Sequence, residues 1–146
     1  MRKTTAHAAA ACLLGVANLS SADDLRGADN FLCTVSVAKR CTPDGKCEGD
    51  RPQQVRLPVF VEIDLERKRW GATAASGEKW AYDIQVIERT SDVLLLQGRD
   101  ESNAFTFVID EPSGAGSYTL NSIVPISGPE VTIVFGYCTP TRTAKP

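Results

Sequence analysis

The 146 residues carry 16 basic against 18 acidic side chains, with 42% hydrophobic residues, one histidine and one methionine. That length and apolar content suit one domain around a single core, and a net charge of −2 gives no electrostatic footing for nucleic acid.

Arg2 and Lys3 precede an apolar run over residues 8–19, and Ser20-Ser21-Ala22 offers small residues before Asp23-Asp24. A bilayer-spanning helix needs about 20 apolar residues, so this shorter run reads as a cleavable signal peptide over residues 1–22. A cut after Ala17 is the alternative. Cys12 lies too early for an acylated cysteine, because Leu13, Leu14 and Val16 continue the apolar core beyond it. The expectation is an exported protein, periplasmic or secreted, with no membrane span in its mature part. Removing 22 residues leaves 124 with a charge of −4, since Arg2 and Lys3 leave and no acid does.

The cut also removes His7 and Met1, the sole histidine and methionine. Without an imidazole, Ser-His-Asp and Cys-His catalysis and most zinc or copper sites lose an essential group. No cofactor, no metal and no enzymatic activity are expected. Residues 23–30 are polar and read as a flexible lead-in to a domain over residues 31–138.

Phe31, Cys33, Val35 and Val37 alternate with smaller or polar neighbours, the period of a strand with one buried face. Cys41-Thr-Pro-Asp-Gly-Lys-Cys47 contains a turn that brings its ends together, so disulfides are expected between Cys41 and Cys47 and between Cys33 and Cys138. A four-thiolate zinc site would need different spacing. Val59, Val61, Ile63 and Leu65 share one face of a strand over residues 55–65, with Pro58 marking an edge or bulge. Residues 68–74 pair back onto it across a turn at residues 64–67. Trp80, Tyr82, Ile84 and Val86 resume the alternation, and residues 93–97 form a short apolar strand. Phe105, Phe107 and Ile109 form the next, ending at a turn over residues 110–114. Residues 118–124, a turn at Ser127-Gly128-Pro129, and Val131, Ile133, Phe135 and Tyr137 complete the series before a flexible tail at residues 139–146.

About eight strands with little helix indicate an all-β antiparallel meander, closing as an up-and-down barrel or barrel-like sheet. In a closed meander with an even strand count the first and last strands are antiparallel neighbours, which places Cys33 beside Cys138. An open β-sandwich is the alternative.

Candidate sites are few. Asp44, Glu48 and Asp50 share a loop that could suggest calcium, but the spacing matches no EF-hand, and Lys46 and Arg51 compete. Asp100-Glu101 reads as a turn tip. Arg67-Lys68-Arg69-Trp70 reads as a hairpin tip balanced by Glu62, Asp64 and Glu66. A carboxylate-based hydrolase could draw on Glu62, Asp64, Asp83 and Glu88. Ser76 and Lys79 have the spacing of a Ser-Lys nucleophile but sit in a predicted turn.

Ala75-Ser76-Gly77-Glu78-Lys79-Trp80, with Gln97-Gly98-Arg99-Asp100-Glu101 and Ala104, resembles the paired loop motifs of membrane-bound and periplasmic inhibitors of c-type lysozyme. That resemblance implies a small exported β-barrel with a disulfide. Gln97 stands where that family has a functional lysine, and the motifs lie further apart. The functional expectation is a non-enzymatic binding or envelope-associated protein with a protein or small ligand as partner. The alternatives are a lysozyme-inhibitor-like protein and a carboxylate hydrolase.

Overall fold

The computed structural model describes residues 24–125 and 128–141; the segment read above as a signal peptide, with Cys12, and most of the expected tail lie outside the described residues. Ten strands form among the described residues: β1 (Asn30–Cys41), β2 (Cys47–Glu48), β3 (Phe60–Asp64), β4 (Arg69–Ala72), β5 (Ala81–Asp83), β6 (Val86–Arg89), β7 (Val93–Arg99), β8 (Asn103–Asp110), β9 (Ala115–Val124) and β10 (Gly128–Pro140). All pairings are antiparallel, in the order β5-β4-β3-β1-β10-β9-β8-β7-β6, with β2 on the side of β1. The protein is an all-β, curled, barrel-like sheet.

The curl brings both edges of the sheet onto one stretch of chain. The Ile84 amide donates to the Lys68 carbonyl, and the next amide, Gln85, donates to the Gln97 carbonyl on β7, the neighbour of the opposite edge strand β6. A Cβ on Gly98 would collide with the Asp83 carbonyl oxygen, so glycine there is what lets β5 press onto β7. The changeover also resets the alternation. Tyr82 and Ile84 face the interior, whereas Val86, expected on the same face, is exposed and Ile87 packs inward.

The β1–β10 seam runs from Phe31↔Pro140 to Cys41↔Val131. Cys33 and Cys138 are direct cross-strand partners there and form a buried disulfide; Cys41 and Cys47 bond at the surface between β1 and β2. Pairing of Pro140 and Thr139 carries β10 past Cys138 into the expected tail.

A bulge between Val35 and Val37 shifts the β1 register. Before it Phe31, Cys33 and Val35 point inward; beyond it Ala38 does, and Val37, expected inside, is turned out. On β10 the inward set is Thr132, Val134 and Cys138. The apolar run of that strand faces outward instead, with Phe135 at 55% and Tyr137 at 59% exposure. Side chains alternate across a strand, so once Cys138 must meet Cys33 inside, its odd-numbered neighbours point to solvent. The expected strand over residues 55–65 is also shorter: Pro52–Val55 form a 3-10 turn, and pairing begins at Phe60.

The interior is filled around Trp70, which is 2% exposed. Five rings surround it: Trp80, Tyr82, Phe105, Phe107 and Tyr118, with centroids 4.9–5.6 Å away. At one end the barrel is shut. Leu25, in the segment read as a lead-in, is fully buried, and its amide donates to the Glu111 carbonyl. Arg89 donates to both Glu111 carboxylate oxygens, at 2.7 and 3.1 Å, and to the Leu25 carbonyl at 2.8 Å. Glu111 is wholly buried, so that doubly bonded guanidinium is what makes its burial tolerable.

The two disulfides differ in the chain they enclose, with separations of 105 and 6 residues. In the chain-entropy relation the first stabilises by about 5 kcal/mol and the second by about 2 kcal/mol. Urea unfolding of Cys33→Ala/Cys138→Ala is therefore expected to show the larger loss, and of Cys41→Ala/Cys47→Ala the smaller.

Candidate functional site

The opposite end of the barrel is an open cleft of about 630 Å³, within the size range of small-molecule sites. The inward alternation of each strand supplies its walls: Arg40 from β1, Asn103 from β8, Leu120 and Ser122 from β9, and Glu130 and Thr132 from β10. Trp70, Trp80 and Tyr82 form its aromatic floor and one side. Below Trp70 the packing leaves a hollow of about 20 Å³ by the Cys33–Cys138 bond, Gly116 and Gly136. The barrel is thus packed in one half and open in the other.

The β1 bulge has a direct consequence at this mouth. With unbroken alternation from Cys33 and Val35, Arg40 would face solvent; the extra residue turns it into the cleft. Its guanidinium donates to the Val55 carbonyl at 2.6 Å and lies 3.6 Å from the Glu130 carboxylate. The Ser122 hydroxyl donates to the Asn103 side-chain oxygen at 2.7 Å, and the Asn103 amide nitrogen donates to Asp100. Trp80 is oriented by its indole N–H, which donates to Glu78 at 2.6 Å.

Arg56 stands on the wall beside Leu57 and Pro58. It ends the Pro52–Val55 turn in the left-handed region, φ 59°, ψ 37°. Glycine or asparagine is the usual occupant there, and another residue costs on the order of 1–2 kcal/mol.

Two polar groups are buried with no hydrogen-bond partner among the described residues, the Trp70 indole N–H and the Tyr118 hydroxyl. Both belong to the aromatic cluster, whose ring faces offer no oxygen. Burial pushes the Tyr118 phenol well above its usual value, with Tyr82 adding to the effect. Tyr82 is raised too, first by burial and then by the nearby Asp100 charge.

The remaining candidate residues lie elsewhere or are engaged in their own loops. Of Glu62, Asp64, Asp83 and Glu88, none lines the mouth: Glu62 and Glu88 are exposed, Asp64 pairs with Arg67, and Asp83 with Arg69. The structure does not assemble them into an acid–base pair. Asp44 bonds Thr42 and Lys46, Asp50 pairs with Lys39, and Glu48 is exposed on β2. Ser76 is taken up by its turn, donating to the Thr73 carbonyl and accepting from the Glu78 amide. Arg67 and Lys68 sit in the β3–β4 turn at the shut end. By contrast, the two segments that resemble the inhibitor motifs adjoin the mouth, the first ending at Trp80 and the second running up to Ser102 and Asn103, which line it. The first leads through Trp80 into β5, the second runs from β7 into the turn before Asn103, and Gln85 bonds to Gln97 and Arg99 between them.

Arg40, Arg56, Leu120 and Thr132 were not singled out by the sequence. A bulge and a left-handed turn place the two arginines, and neither has a residue signature in this chain. Comparison with protein-family models, with curated proteins and with solved structures finds no match to the chain. Among the described residues no helix is long and apolar enough to cross a membrane.

The unpartnered phenol gives a test of the buried cluster. The folded protein keeps Tyr118 protonated, whereas the unfolded chain ionises near pH 10. Stability is therefore full below about pH 10 and declines as pH rises beyond it. Tyr118→Phe is expected to make that decline shallower and, by removing a buried hydroxyl without a partner, to raise stability at pH 7 by about 1 kcal/mol. Urea midpoints at pH 7 and 10.5 measure both effects.

Proposed function

We propose that this protein is an exported, non-enzymatic binding module that takes a small ligand with an apolar, planar portion into the barrel mouth. The observation that supports this most strongly is the open, aromatic-floored cleft above a packed core. Deep burial of Trp70 holds the floor rigid, so a ring can stack on it with little side-chain ordering left to oppose binding. Polar groups at the rim, Asn103 and Ser122, are already oriented by each other and by Asp100. Export is in keeping with the short N-terminal apolar run and with four paired cysteines, which persist in oxidising compartments. A binding rather than catalytic role is in keeping with the scatter of Glu62, Asp64, Asp83 and Glu88 away from the cleft.

A second reading takes a protein as the partner. The two inhibitor-like segments share the same rim, and in that reading the mouth would engage a lysozyme and slow lysis at high molar excess.

Both tryptophans of the chain belong to the mouth, so energy transfer from them reports on its contents directly. N-phenyl-1-naphthylamine, a neutral aromatic probe, is expected to gain emission on tryptophan excitation, with at least fivefold weaker binding to Trp80→Ala. An absence of transfer, or equal affinity for the variant, would remove the mouth as the binding site.

A further inference from the structure

The mouth holds several charges, and of those named here all but one have a partner among the described residues. Arg40 is held by the Val55 carbonyl and Glu130. On the facing rim Glu78 is bonded to the Trp80 indole, while Asp100 accepts from the Ser102 and Asn103 amides of its own turn. Arg56 lines the cleft and forms no ion pair among the described residues. Its backbone sits where a side chain is disfavoured, so local preference works against an arginine at this position.

We infer that the cleft selects an organic anion with a flat apolar body, its acid group on the Arg56 guanidinium and its ring against Trp80, Tyr82 and Leu120. This rests on the mouth being a binding site, and it names the chemistry of the occupant. Arginine presents a planar fork of donors suited to a carboxylate or phosphate, and the apolar surroundings of Leu57, Pro58 and the aromatic floor strengthen that pairing relative to bulk water. The acidic rim contributed by Glu78 and Asp100 sets the polarity: it repels the acid group from the β7–β8 side and leaves that side to the ring. Neither half of the ligand suffices alone, because an exposed guanidinium holds a small anion weakly and a neutral ring gains only stacking.

Isothermal titration calorimetry with 2-naphthoate, 2-naphthalenemethanol and acetate separates these contributions. The expected result is naphthoate at least tenfold tighter than the neutral alcohol, with acetate giving no measurable heat. Arg56→Gly should reduce naphthoate to the level of the alcohol and leave the alcohol unchanged. The same variant should raise the thermal midpoint, because glycine accepts the left-handed backbone; Arg56→Asn, also suited to that conformation, should lose naphthoate equally. Equal affinity of the parent for naphthoate and alcohol, or undiminished naphthoate binding by Arg56→Gly, overturns the anion inference. Acetate as tight as naphthoate overturns the role of the ring. Failure of either ring compound to bind contradicts the mouth reading itself, an outcome distinct from both.

Discussion

Trp70 is the side chain around which the sheet closes. A curled sheet of this length encloses a space that aliphatic residues alone leave underpacked, and one indole with five rings about it fills the central layer. Below that layer Leu25, Phe31, Ile63 and Ile109 pack to a floor sealed by the Arg89–Glu111 pair. Above it the inward residues become polar or partly exposed, and the space opens into the cleft. The same ring thus serves as the centre of the core and the base of the site. Its unpartnered N–H is a cost the aromatic surroundings impose, because they supply shape and no acceptor.

The β1–β10 seam sets which residues reach each half. The Cys33–Cys138 bond fixes the parity of both strands at the packed end, and the bulge after Val35 changes the parity of β1 on the way to the mouth. Arg40 and Ala38 face inward only because of that change. Gly136 gives the distorted backbone room, because a Cβ there would collide with the Thr34 carbonyl just before the bulge.

Much of this architecture was legible in the sequence. Period-two alternation located the strands, and the meander with first and last strands adjacent is present. The faces were read less well. On β10 the pattern Val131, Ile133, Phe135, Tyr137 marks a strand without marking its face, and Tyr137, adjoining Cys138, cannot share the face of that cysteine. The Cys33–Cys138 bond assigns that parity and sends Phe135 and Tyr137 outward. Val37 and Val86 were misplaced for a different reason: each lies just past a register change, and hydrophobic period carries no mark of an inserted residue. Leu25 went unnoticed because a single apolar side chain among polar ones has no period at all. The mouth was the least legible feature. Its aromatics are visible as residues, but their convergence depends on the pairing of β4 with β5 and on the loop that carries Trp80 into β5, and Arg56 reaches it through its own left-handed backbone.

The central claim is that the two tryptophans occupy opposite sides of one boundary, Trp70 sealed within the packed layer and Trp80 open at the mouth. Hydrogen exchange of the two indole N–H protons, followed by NMR after transfer to D₂O, tests it directly. The account predicts one indole signal, moved upfield by the surrounding rings and persisting for hours, and a second lost within the dead time. Rapid loss of both signals would contradict a closed floor beneath the cleft, and persistence of both would contradict an open mouth above it.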